Sequence, residues 1–160
     1  MVKDGSAVIG MSIWDVDQVP TDPCKWLGSM ATPDPTVGDL VEALVSQRTR
    51  NATKPADVTL AGYSGTYIEW SVPPDMVVTG DADFAGCDLI ADNGHRDFVS
   101  WLSTGGSDRY QQVAGQVDRL WILDVAGQRL VLDATNSPDA SEMDISQLTD
   151  VVESLAFDEP

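Results

Sequence analysis

The sequence predicts a single α+β domain in which an antiparallel sheet is packed by two main helices. Three patterns lead to this prediction: an amphipathic helix early in the chain, a clear β-hairpin late in it, and a second amphipathic helix after the hairpin. The 160 residues, of which 42% are hydrophobic, suffice for one core of ordinary size, so we expect the domain to span 1–160. Strands that follow one another without alternating helices argue against a doubly wound parallel sheet.

The first helix is predicted by its cap and its apolar stripe. A strand over 7–16 and a loop rich in proline and aspartate precede it. Thr36 and Asp39 have the spacing of a capping box, and the apolar residues that follow recur at helical spacing. These are Val37, Leu40, Val41, Leu44 and Val45. We expect the helix to end near 48–50, where Arg48 and Arg50 would face the negative pole of its dipole.

The hairpin joins strands predicted at 120–125 and 128–135 through Ala126-Gly127. Because both faces of the pair are apolar near its middle, we expect it at the centre of the sheet. Further strands are predicted at 57–60, 65–72 and 96–102. The second helix is predicted to begin at Ser141 and to end near Ser154.

The two cysteines, Cys24 and Cys87, are predicted to form a disulfide. Both lie in turn-rich stretches where a small apolar side chain would find little core to fill, and their spacing fits neither a CxxC motif nor a zinc site. The alternative is a pair of buried free thiols. A disulfide would indicate an extracellular or cell-envelope location.

The charge and the start of the chain restrict the partners and the context. A formal charge of −17 repels phosphate backbones and anionic leaflets, so we expect no nucleic-acid partner. No apolar run is long enough to span a bilayer. Because the first residues lead directly into a strand, we expect the chain to be the C-terminal part of a longer exported or membrane-anchored protein, and its sheet to lack a first strand.

Two segments carry a resemblance to a known family. The stretch LWILDVAGQRLV at 120–131, followed by a helix ending in VVESLAF at 151–157, resembles the last hairpin and helix of PsbP-like domains. The stretch TLAGYSGTYIEW at 59–70 resembles a segment of exported actinobacterial envelope proteins or lipoproteins. The resemblance implies a PsbP-like α/β sandwich without general catalytic residues. The chain lacks the F-x-V-P-x-G-W strand that usually opens such domains.

The hypothesis that the chain is an enzyme depends on Ser64 and His95. The stretch Gly62-Tyr63-Ser64-Gly65 is similar to a nucleophile elbow, but the second glycine of that motif would fall at position 66, which is Thr66. His95 is the one histidine, in a turn. We therefore predict that the chain is not an enzyme and keep a hydrolase built on Ser64 and His95 as the alternative.

The loop that contains Cys87 is dense in carboxylates, the ligands that calcium prefers. These are Asp81, Asp83, Asp88, Asp92 and Asp97. Their spacing is irregular and no EF-hand pattern is present, so solvated acids are the simpler interpretation. We expect no metal site and no cofactor.

Trp26 lies beside Cys24, while the other tryptophans fall on predicted strands and are expected in the core. Trp26 would either cover the disulfide or line a shallow cleft. If the disulfide holds the two loops together, the binding site is predicted to comprise Trp26, Asp81, Asp83, Asp88, Asp92 and His95. The sequence thus predicts a non-catalytic extracytoplasmic domain that binds an unknown protein or a small amphiphilic ligand.

Overall fold

A computed structural model describes residues 7–90 and 94–158 of the chain. It contains mainly short strands, two α-helices and one 3-10 helix, and every strand pairing in it is antiparallel, which confirms the α+β class. The strands are β1 Ile9–Trp14, β2 Val16–Pro20, β3 Met30–Ala31, β4 Asn51–Ala52, β5 Ala56–Leu60, β6 Tyr63–Ser71, β7 Val78–Thr79, β8 Asp83–Phe84, β9 Val99–Ser103, β10 Asp108–Tyr110, β11 Val117–Val125 and β12 Gln128–Asn136. The helices are α1 Val37–Val45 and α2 Glu142–Glu153, and the 3-10 helix is Pro23–Gly28.

The main sheet has the order β1-β12-β11-β6, and both β4 and β5 pair with the far side of β6. The predicted hairpin is therefore central, as expected. Its turn residues, Ala126 and Gly127, have positive φ of 53° and 84°. Positive φ at both positions is typical of the type I′ turn that suits the twist of a two-residue hairpin.

The two helices pack on opposite faces of the main sheet. Along β11, Leu120 and Ile122 face α1, whereas Leu123 faces α2. On the first face α1 contributes Leu40, Val41 and Leu44; on the second α2 contributes Leu148 and Val152. The described part of the chain holds no helix that is both long and apolar enough to cross a membrane.

A second sheet, of order β10-β9-β2-β3, was not predicted. The strand expected at 7–16 ends at Trp14, and the chain bends at Asp15 into β2, which belongs to the second sheet. The stretch from Val19 onward was expected to be a loop rich in proline and aspartate, but Val19 and Pro20 belong to β2, in which Val16 and Val19 are buried. The two sheets therefore meet at a corner near Asp15.

Two predicted boundaries are also wrong. Helix α1 ends at Val45 with Ser46 as its C-cap, so neither Arg48 nor Arg50 lies in its last turn. The strand expected at 96–102 begins at Val99, because the backbone at 96–97 bonds to Phe84 at the end of β8 and to Asp88 in the loop after it, and not to the strands that flank β9.

Cys24 and Cys87 form the predicted disulfide. Contrary to expectation, they do not lack a core: Cys87 is buried with Val72, Phe84 and Phe98 in a small apolar cluster, against which Cys24 packs. The bridge thus fixes the 3-10 helix to the loop after β8 through apolar packing as well as a covalent bond.

Gly65 marks a close approach between β6 and β11. A Cβ atom at this position would lie 2.0 Å from the carbonyl oxygen of Ile122, far inside van der Waals contact. Because the obstacle is backbone, a side chain at position 65 would force the two strands apart.

The disulfide predicts a redox-dependent stability. Denatured but unreduced protein should show no free thiol on titration, and reduction should lower the melting temperature by roughly 10 °C, since the bridge closes a loop long enough for about 4 kcal/mol of stabilisation. Alkylation after reduction prevents the bridge from reforming during the scan. Two titratable thiols in the unreduced protein would contradict the assignment.

The packing of α2 predicts a sharp contrast between two of its residues. Leu148 is 4% exposed, so Leu148→Ala should lower the free energy of unfolding in urea by about 2–5 kcal/mol. Met143 on the same helix is 70% exposed, and Met143→Ala should change it by less than about 0.5 kcal/mol. Equal effects of the two substitutions would show that α2 does not bury this face.

Candidate functional site

Two adjoining cavities flank strand β10, and we call them together the β10 groove. The first, of about 250 Å³, lies between β1 and β10 and is lined by Ile9, Met11, Trp14 and Arg109, among others. The second, of about 450 Å³, is lined by Asp81, Ala82, Ile90, His95 and Asp97. Asp108 and Tyr110 line both cavities. The two cavities are therefore neighbours on either side of β10.

The groove opens where the two sheets diverge. Strand β1 is the outermost strand of the main sheet, and β10 is the outermost strand of the second sheet. Because β1 continues through Asp15 into β2, the two sheets are joined at that corner. The first cavity occupies the space between their two outer strands.

A buried cluster of charges ties β10 to the main sheet. Arg109 of β10 donates from Nε to Asp133 of β12 and from Nη2 to Asp118 of β11, the latter over 2.8 Å. Arg50 lies 3.7 Å from the other oxygen of Asp118. The side chains of Arg50, Asp118 and Asp133 are each 1% exposed and that of Arg109 is 11% exposed. Two guanidinium groups and two carboxyl groups thus share one buried site.

Arg50 is held by rings as well as by charge. Its guanidinium lies 3.8 Å from the ring centroid of Trp70 and 5.0 Å from that of Phe98, and Nη2 donates to Ser100 Oγ over 2.7 Å. Burial lowers the pKa of Arg50 to about 10, so it remains charged at neutral pH. The sequence interpretation of Arg50 as a helix-terminal charge is therefore wrong, because the chain turns inward after α1.

Asp133 carries the most perturbed carboxyl of the cluster. Burial and the charge of Asp118 raise the pKa of Asp133 to about 7, against the attraction of Arg109 and Arg50. One oxygen of Asp133 and one of Asp118 accept no hydrogen bond within the described structure. Both carboxylates lie inside the core and not on the groove wall, so we interpret the cluster as the support of β10.

The groove itself is electrostatically negative. Each guanidinium nitrogen of Arg109 already has an acceptor: Asp133, Asp118 and the backbone oxygen of Tyr110. The carboxylates of Asp81, Asp97 and Asp108 then determine the charge of the cavity walls. Burial and the nearby charge of Asp108 raise the pKa of Asp97, while His95 acts in the opposite direction. A cation placed among these carboxylates would be stabilised.

Of the predicted site residues, Asp81 and His95 line the second cavity. Asp83 and Asp88 instead stabilise loops: Asp83 accepts from the backbone of Arg96 over 2.8 Å, and Asp88 accepts from that of Leu27 over 3.0 Å. Asp92 lies outside the described residues.

Trp26 is half-buried and is not among the residues that line the groove. Its indole nitrogen is buried without an acceptor in the described structure. The sequence analysis did not predict the groove residues of β1 and β10. These strands belong to different sheets, and the groove forms only where the two sheets come together. The absence of charge along β1 was the one available signal.

The structure does not bring Ser64 and His95 together. Ser64 lies on β6, where it lines one cavity with Thr36 and Arg129 and another with Asp57. His95 lines the β10 groove, and these cavities share no lining residue with it. The part of the chain described contains no group of three or more histidine, cysteine or acidic side chains arranged to hold a metal ion.

Comparison with known proteins found no matching family model, no matching curated protein and no matching solved structure.

Asp133 predicts a distinctive pH dependence. The pKa of Asp133 rises from 3.8 to about 7 on folding, so the folded state binds the proton more tightly than the unfolded state does. The resulting stabilisation of the folded state is complete below pH ~4 and is lost as the pH rises through ~7. Asp133→Asn keeps an acceptor for Arg109 but cannot ionise. Relative to wild type, this variant should therefore gain stability in urea unfolding between pH 5 and pH 8. A stability difference that is the same at both pH values would contradict the assignment.

Proposed function

We propose that this chain is a non-catalytic extracytoplasmic binding domain whose ligand occupies the β10 groove. The observation that carries the proposal is the groove itself, two adjoining cavities that share Asp108 and Tyr110. Ligand sites are typically concave, with an apolar lining and a few convergent polar groups. Ile9, Met11 and Trp14 supply the apolar part here, and the carboxylates supply the polar part.

The disulfide supports an extracytoplasmic location. Disulfides persist mainly in oxidising compartments, and the bridge between Cys24 and Cys87 is built into the packing of its own apolar cluster. The PsbP-like assignment belongs to the same proposal and depends on the sequence of the last hairpin and helix. An antiparallel sheet with helices on both faces is compatible with it.

Binding is favoured over catalysis because the candidate catalytic side chains lie in separate places. A serine hydrolase needs the nucleophile and the base within hydrogen-bond reach in one pocket. Ser64 and His95 line cavities that have no residue in common. The hydrolase alternative therefore has no geometric support.

The proposal predicts that ligands selected on the folded protein depend on Tyr110. Tyr110 is 43% exposed and lines both cavities, so ligands recovered from displayed-peptide and small-molecule libraries should bind Tyr110→Ala about tenfold more weakly or worse, measured by calorimetry. Met143→Ala, which removes an exposed side chain on α2, is the matched control and should leave affinity unchanged.

Two results would contradict this function. One is a pair of screens that yields no ligand, or ligands indifferent to Tyr110. The other is turnover of ester, phosphoester or glycoside substrates that disappears in Ser64→Ala or His95→Ala, which would favour the hydrolase.

A further inference from the structure

We propose that the occupant of the β10 groove is an extended basic segment of a partner protein, which adds a strand to the free edge of β1. The inference rests on the proposed function and specifies its ligand. Strand addition obtains affinity from backbone hydrogen bonds and specificity from alternate side chains. Three features support it: β1 has a free edge, its sequence has no charged residue or proline that would prevent pairing, and acidic side chains lie nearby.

The free edge is defined by the hydrogen bonds of β1. Within residues 7–90 and 94–158, β1 pairs with β12 on one side and with no strand on the other. Val8 O accepts from Ser137 N and Val8 N donates to Ser137 Oγ, so both backbone groups of Val8 face β12, as in a hydrogen-bonded pair of the antiparallel ladder. Because such pairs alternate, Ile9, Met11 and Ile13 turn their backbone groups away from β12. In agreement, Asp15 O points away from β12 and accepts from Thr104 N.

The composition of β1 is unusual for an edge strand. Its sequence, IGMSIW, contains neither a charged residue nor a proline. Natural proteins commonly protect exposed edges with charges or proline, because an unprotected edge pairs with other chains. The opposite edge of the main sheet follows this rule, since β5 carries Asp57 and is preceded by Lys54-Pro55. The β1 edge is thus the one left open for pairing.

The charge beside this edge selects a basic partner. Asp108 lies on the wall that faces β1, and Asp81 and Asp97 line the adjoining cavity. The guanidinium nitrogens of Arg109 already donate to Asp133, Asp118 and the backbone oxygen of Tyr110, so they are not directed at the carboxylates of the groove. An added strand with lysine or arginine at alternate positions would place ammonium or guanidinium groups among these carboxylates. The formal charge of −17 on the chain would further accelerate its association.

The first experiment uses a short fluorescein-labelled peptide of alternating lysine and valine, with binding to the full, disulfide-intact chain followed by anisotropy at low salt. We expect saturable binding that weakens as salt is added, and no binding of the glutamate–valine counterpart. The double variant Asp97→Asn/Asp108→Asn should bind about fivefold more weakly. Asp57→Asn/Asp150→Asn makes the same change in net charge at exposed positions outside the groove and should bind like wild type.

The second experiment tests strand pairing directly. Two peptides with N-methyl groups on alternate residues, in opposite phases, should differ: one phase removes the N–H groups that face β1 and should abolish binding, whereas the other retains them. On the protein side, Ile13→Pro removes an outward N–H but no bond to β12, and should weaken binding about fivefold while the unfolding transition stays cooperative.

The outcomes separate this inference from the proposed function. Equal binding of both methylated phases would overturn strand addition, and the Tyr110-dependent library ligands would still support the groove. Displacement of the peptide by spermidine at a similar concentration would also overturn strand addition, because it would indicate that the groove binds a small amine. No binding of the lysine–valine peptide at low salt would overturn the inference, while the library screens would decide the function of the groove independently.

Discussion

The position of β10 depends on buried charge. This strand has three residues and, among the residues that the structure describes, pairs only with β9, so its backbone bonds do not attach it to the main sheet. Arg109 supplies the missing connection by reaching Asp118 and Asp133 on the two central strands. Removing one partner of such a buried pair typically costs about 3–5 kcal/mol, because the remaining charge stays desolvated. Loss of either carboxylate would therefore weaken the attachment of β10 to the main sheet.

Ionic support explains why a cavity persists beside an apolar core. Hydrophobic residues in place of the four charges would pack as tightly as the rest of the interior, and such replacements are often neutral or stabilising elsewhere. A guanidinium that bridges two carboxylates instead fixes a separation between the sheets. Arg50, stacked on Trp70 and bonded to Ser100 of β9, adds a second connection across the same gap. The four charged side chains thus link β9 and β10 of the second sheet to the main sheet.

The sequence predicted the parts of the fold that local patterns determine. Both helices have capping residues at Thr36 and Ser141, and the central hairpin has its two-residue turn, so each could be recognised without its neighbours. The disulfide was predicted from the turn-rich context of the two cysteines, and the structure confirms it. The second sheet was missed because its strands are short and are defined by partners distant in the sequence. Arg50 was placed at a helix end because its partners, Asp118 and Trp70, are also distant in the sequence.

The candidate site was predicted less completely. Asp81 and His95 do line the groove, because the acidic loop faces it. Trp26, Asp83 and Asp88 fall elsewhere or stabilise loops, and no composition signal separates a carboxylate that accepts from its own backbone from one that faces a cavity. The β1 and β10 residues acquire their role only from the angle between two sheets, which no short stretch of sequence encodes.

Gly65 has an evolutionary consequence. As long as β6 and β11 keep their register, position 65 admits no other residue, because the obstacle is the carbonyl of Ile122 and not a side chain that could adapt. Diverged homologues should therefore retain a glycine near the start of this strand, at the position that faces the carbonyl of Ile122 in β11. Such a sparse signature would identify descendants of the same ancestor long after overall identity has decayed.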